Sequence, residues 1–158
     1  MANSILSKNK EEYGEHYKTH IFEQYKIYVE MADRISQRRM TANAAYITIM
    51  TALLIFTRSV SGLHIIAVIL LHMVELLVCF TWYYNIKSYR QLNSGKFKVI
   101  HEIESLLPLR LFEREWEILG EGKRRKSYWP LSHIEKYLPI AYGAIIFVSL
   151  IWNIVECF

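Results

Sequence analysis

The chain has 158 residues, 19 Lys/Arg against 15 Asp/Glu and a net charge of +4, yet 53% of it is apolar and its mean hydropathy is +0.11. The charges are segregated: none falls in Met40–Thr57 or Tyr137–Val155, and Glu75 alone interrupts Ser59–Ile86. That pattern argues against a soluble bundle, which cannot surround several all-apolar helices on every side, and two cysteines, Cys79 and Cys157, make neither a disulfide scaffold nor a metal motif.

Residues 1–10 are polar and expected to fray. From Glu11 to Arg39, Ile21, Tyr25, Tyr28, Val29, Ala32 and Ile35 recur at helical spacing, which predicts an amphipathic helix. Its near-balanced charge and its tyrosines suit packing against protein better than lying on a membrane surface. No Gly or Pro occurs between Lys18 and Val60, so this helix is expected to continue into a first span, Met40–Thr57. Arg39 and Arg58 are placed to snorkel from its ends. Thr41, Ala42, Asn43, Ala44, Ala45, Thr48 and Thr51 suit protein contact rather than lipid, with Asn43 a candidate interhelical hydrogen bond.

Ser59–Gly62 reads as a tight turn, and Leu63 to Tyr84 as a second, antiparallel span ending in an interfacial cluster of Trp82, Tyr83 and Tyr84. Residues 86–137 are polar. Arg90–Leu107 is predicted as a separate amphipathic helix stopped by Pro108, Leu111–Leu119 as a short helix, and Gly120–Lys126 as a basic turn. Ser132 with Glu135 has the spacing of a capping box before a third apolar run, 138–156, long enough to cross. The fold class expected is therefore an all-α integral membrane protein. Its parts are an N-terminal amphipathic helix (1–39), a transmembrane hairpin (40–85), a polar helical segment (86–137) and a third span (138–156). Basic residues flank the outer ends of the hairpin, with only Arg58 at its turn, so the N-terminus and residues 86–137 are expected in the cytoplasm. No cleavable signal peptide is visible ahead of the first span.

Glu75 lies near the middle of the second span, where an ionised carboxylate is costly. On a continuous helix His64 and His72 would share its face. That polar face reads as a protonated interhelical tie, a pore lining or proton relay, or a ligand contact. His16 and His20 are four apart but lack the glutamate of a zinc-binding HExxH, so a solvated helix face fits better. The cations Lys96, Lys98, Lys123, Arg124, Arg125 and Lys126 are candidates for lipid headgroups or a phosphorylated small-molecule signal. Tyr89, Phe97, Tyr128 and Trp129 beside them fit interfacial anchoring, and no phosphate-cradling glycine loop is present, so nucleic acid is not the expected partner. No nucleophile–base pair, complete metal set or cofactor motif can be assembled, which points away from an enzyme.

Three stretches, FEQYKIYVEMADRISQRRMTAN (Phe22–Asn43), YRQLNSGKFKVIHEIESLLP (Tyr89–Pro108) and EWEILGEGKRRKSYWPLSHIEKYLP (Glu115–Pro139), resemble a group of small bacterial multi-span membrane proteins. The layout is similar to SLATT-like transmembrane effectors of antiphage defence. That resemblance implies a homo-oligomer in the bacterial inner membrane that permeabilises it when signalled from the cytoplasm. Glu75, His72 and His64 would then lie on the pore-side helix, and the 89–108 helix would receive the signal. The alternative is a non-conducting membrane adaptor for a soluble cytoplasmic partner.

Overall fold

The computed structural model describes residues 5–60, 64–122 and 134–157, and these are helical without a strand. A short α1 (Lys10–Tyr13) precedes α2 (Tyr17–Ser59), α3 (Ile65–Glu104), α4 (Leu111–Ile118) and α5 (Tyr137–Cys157), with a 3₁₀ turn at Gly120–Gly122. Three of them, α2, α3 and α5, are long and apolar enough to cross a membrane. A span needs about 20 residues, so α2 with 43 and α3 with 40 each carry about as many again outside one.

The amphipathic helix does not start at Glu11. Asn9 caps α1 by accepting from the Glu12 amide at 2.8 Å, and Gly14 then ends it at φ +89°. That backbone region is open to glycine and strained for other residues, so the long helix begins afresh at Tyr17. Beyond that point nothing breaks it before Ser59, and the expected run into the first span is present. The second span likewise has no end at Tyr84: α3 continues through Asn85–Tyr89, and Arg90–Glu104 is its last part rather than a separate helix. No Pro interrupts this stretch, and the polarity change alone does not stop a helix.

The chain forms two compact units, 1–37 with 90–130 and 38–89 with 131–158. In the first, Ala32, Ile35 and Ile100 are buried, and the segments of α2 and α3 run antiparallel, with Tyr25 meeting Glu104 and Tyr28 meeting Lys96. In the second, α2 and α3 again run antiparallel, and α5 packs on both. Its core is Met50, Cys79, Trp82, Ile86 and Ile146, with Tyr46, Leu53 and Tyr142 against it. Trp82 is thus not an interfacial anchor. It is fully buried, its indole N–H donating to Asn43 Oδ1 at 3.0 Å and its ring stacked on Tyr46 at 5.6 Å. Tyr84 is exposed, as an interfacial residue would be. Hydroxyls of Thr48, Ser59 and Thr81 return to carbonyls of their own helix, the economical solution where no water is at hand.

Candidate functional site

In the second unit, the last turns of α2, the first half of α3 and the middle and later turns of α5 line a groove of about 510 Å³. From α2 come Leu54, Ile55, Thr57, Arg58 and Ser59; from α3, Val68, His72 and Glu75; from α5, Ile145, Ser149 and Asn153. The walls are largely aliphatic, and polar atoms are few and directed.

Glu75 has no exposed surface. Thr57 donates its hydroxyl to Glu75 Oε1 at 2.8 Å, tying α3 to α2, while Oε2 is buried without a partner. One turn earlier, His72 (1% exposed) places Nδ1 2.9 Å from the Val68 carbonyl and Nε2 3.1 Å from Ser149 Oγ. A carbonyl only accepts, so Nδ1 carries the hydrogen, and in the neutral ring Nε2 accepts from the Ser149 hydroxyl. Asn153 Nδ2 in turn donates to the Ser149 carbonyl at 2.7 Å and reaches Ser149 Oγ at 3.4 Å. His72, Ser149 and Asn153 are thus linked by hydrogen bonds, Ser59 returns its hydroxyl to the Ile55 carbonyl, and among the described lining residues the buried side-chain atom left without a partner is Glu75 Oε2.

The polar face expected on the second span is rearranged in two ways. His64 is not on it: α3 starts at Ile65, and exposed His64 precedes the helix, its carbonyl accepting from Ala67 at 2.8 Å and its Nδ1 facing the Ile66 amide at 3.4 Å. A residue ahead of the first helical position does not have helical backbone dihedrals, so helical counting does not fix the direction of its side chain. Glu75 also does not bond to His72; each reaches a different helix. Asn43 is part of the Trp82 cluster instead, with Nδ2 buried and unpartnered. Among the described residues no group of three or more His, Cys, Asp and Glu is placed to hold a metal ion. His16 and His20 stack at 5.5 Å on an exposed surface, with Tyr13 Oη 2.8 Å from His20 Nδ1.

The expected basic cluster separates. Lys98 is exposed, whereas Lys96 is 7% exposed and sits 4.2 Å over the Tyr28 ring, so it is not available as a headgroup contact. Helical spacing explains the difference: Lys96 is on the stripe of Ile100 and Glu104, and Lys98 is not. Lys123, Arg124, Arg125 and Lys126 lie outside the described residues, as does Ser132 of the expected capping box. Its partner Glu135 faces Arg39 at 3.4 Å, with both side chains largely buried, so Arg39 is held by protein rather than snorkelling freely.

Glu104 is the residue that periodicity concealed. It is fully buried, and its carboxylate accepts from Tyr25 Oη at 3.0 Å and from the Phe112 and Glu113 amides at 2.9 and 3.1 Å. It caps α4 from another helix, a role that Arg110, at the cap position, cannot fill with its own side chain. Burial, the bond to Glu104 and that carboxylate's charge push the Tyr25 phenol up from 10.0 to about 12. The folded chain thus keeps this proton where the unfolded chain would lose it. The resulting stabilisation is present below pH 10 and fades between pH 10 and 12. Unfolding midpoints measured across that window should drop more steeply for wild type than for Tyr25→Phe, which has no proton to lose there.

The model of the octameric membrane protein family (8xMP) matches residues 22–155. No curated protein and no solved structure matches the chain.

Proposed function

Because the chain belongs to the octameric membrane protein family, we propose that it assembles as a homo-octamer whose Glu75 grooves line a gated ion path. The observation carrying this reading is Glu75 itself, a fully buried carboxylate with one oxygen unpartnered, inside a helix apolar enough to span a membrane. Such a group is costly in a bilayer and usually marks a pathway for ions or protons. Three spans cannot enclose a wide path alone, whereas polar faces from several copies can. Thr41, Ala44, Ala45 and Thr48 form an exposed small-residue face on α2, suited to close helix contact between copies.

The membrane is the bacterial inner membrane with the N-terminus in the cytoplasm, and the first unit, on that side, transmits the opening signal. The layout resemblance supports a role in antiphage defence, with infection as the trigger for opening. No catalytic step is assigned.

Planar-bilayer recording tests the proposal. Wild-type octamers supplied with cytoplasmic extract from infected cells are expected to conduct. Glu75→Gln should alter ion selectivity, and Glu75→Leu should abolish current while the oligomer stays intact, because an apolar ring promotes dewetting. A wild type that assembles, receives its trigger and never conducts would leave a non-conducting adaptor as the function.

A further inference from the structure

In the first unit, α2 and α3 form a two-helix layer that α4 covers on one side. Counting about 100° per residue from buried Ala32 of α2 and buried Ile100 of α3 sorts its side chains into two sides. Tyr25, Phe97 and Glu104 lie about 20°, 60° and 40° round in one sense. There Tyr25 meets Glu104, Glu104 accepts from the Phe112 and Glu113 amides, and Phe97 packs edge-on against Phe112 at 5.8 Å, which puts α4 on that side. Tyr28 and Lys96 each lie about 40° round in the other sense, and their contact at 4.2 Å shows that this second side is also common to both helices. Further round on it come Ile27, Met31 and Leu92, which are 57%, 44% and 51% exposed. At about 60–140° on this side, neither 17–37 nor 90–104 carries an Asp, Glu, Lys or Arg. The charges of α2, among them Glu23, Lys26, Glu30 and Asp33, keep to other sectors. A charge-free apolar side on the charged, non-spanning part of a chain marks a surface that protein covers. Lipid headgroups match it less well, because a helix face that lies on a membrane has a basic rim, and the flanking charges here are of both signs.

We infer that a second copy of the chain covers this side head to tail, with Leu111 and Ile118 of α4 in one copy seated on Ile27, Met31 and Leu92 of the next. Leu111 and Ile118 fall within about 20° of one another on α4 and about 100° or more from Phe112, which faces Phe97. At 61% and 67% exposed they form a second apolar stripe with nothing against it in its own copy. Since α4 occupies one side of the layer and the bare face is the other, the two patches do not meet within one copy. Such a contact is heterologous: every copy gives one patch and receives the other, and the repetition closes into a ring. The inference rests on the homo-octamer proposed above and names the surface that joins its copies.

Disulfide cross-linking of the full-length chain in native membranes tests the contact, with light scattering of the detergent-purified wild type in parallel to count its copies. With Met31→Cys and Ile118→Cys in one chain, oxidation by copper–phenanthroline is expected to give a ladder on non-reducing gels that climbs to eight copies. Either substitution alone should stay at the wild-type level, which sets the background from Cys79 and Cys157. Glu30→Cys with Ile118→Cys should give no ladder, because Glu30 lies in the charged sector of α2. Adding Ile27→Glu to the Met31→Cys/Ile118→Cys pair should cut the laddered fraction tenfold or more, and adding Ile27→Val should leave it unchanged. An octamer in which that pair gives no ladder would overturn this interface and leave the octamer standing, whereas a monomeric wild type would overturn both. Strong dimers from Met31→Cys alone would mean that the face mates with itself, and a product whose mass is not a multiple of the chain would give the face to a different protein. Either result would overturn the head-to-tail contact.

Discussion

Replacing Trp82 with alanine is expected to cost the second unit about 3–5 kcal/mol, the usual range for emptying a fully buried tryptophan site. Trp82 is where all three spanning helices meet: it bonds Asn43 of α2, stacks on Tyr46 at 5.6 Å, and lies 5.8 Å from the Tyr142 ring of α5. Its removal leaves a void and also strips Asn43 Oδ1 of the indole N–H that it accepts from. Asn43 is 7% exposed and already has an unpartnered Nδ2, and in a bilayer no water arrives to replace the lost bond. Trp82→Phe separates these contributions, because it keeps ring packing and loses only the N–H. Its cost should be about 1–3 kcal/mol, the penalty of orphaning a buried polar group. The double variant Trp82→Phe/Asn43→Leu should recover part of that, since neither side then retains an unmet group. Helicity followed through an SDS titration in mixed micelles measures all four proteins. A Trp82→Ala protein unfolding at the wild-type SDS fraction would contradict the central position of this side chain.

The second large effect belongs to Glu104→Ala. An eight-residue helix is unstable alone, and α4 is held by a carboxylate accepting from its second and third amides while also holding Tyr25. The negative charge also suits the positive end of the α4 dipole. Loss of these bonds is expected to destabilise the first unit by about 1–3 kcal/mol. More locally, the Phe112 and Glu113 amides should lose their protection from hydrogen exchange while those of α5 keep theirs. Glutamine is a poor substitute here. All three partners are donors and both carboxylate oxygens are used, so an amide NH₂ must confront one of them. Glu104→Gln should therefore release at least one α4 amide, and full protection of both in that variant would show that the cap is not electrostatic.

The spanning helices and Glu75 were legible in the order of residues because both depend on a one-dimensional quantity, the local density of charge. A stretch without charge from Tyr137 to Val155 has few alternatives to a membrane helix, and a lone Glu75 in Ser59–Ile86 stands out against its neighbours. The pairing of α2 with α3 followed from the short connection between them. Other assignments needed a second helix in view. Trp82 closes an apolar run beside two tyrosines and so resembles an interfacial anchor, until Asn43 and Tyr46 approach it from α2. Lys96 reads as a headgroup candidate and Glu104 does not stand out, although both sit one turn from Ile100 on its buried stripe. Ser149 and Asn153 pass as minor polar residues in the third run, and only the docking of α5 on α3 makes them the partners of His72. Periodicity reports which way a side chain points from its own helix axis. What it meets there is set by the rotation and register of another helix, so the sequence by itself determined the helices and their charge-free lengths, and tertiary packing alone decided which polar groups were satisfied and left Glu75 Oε2 open.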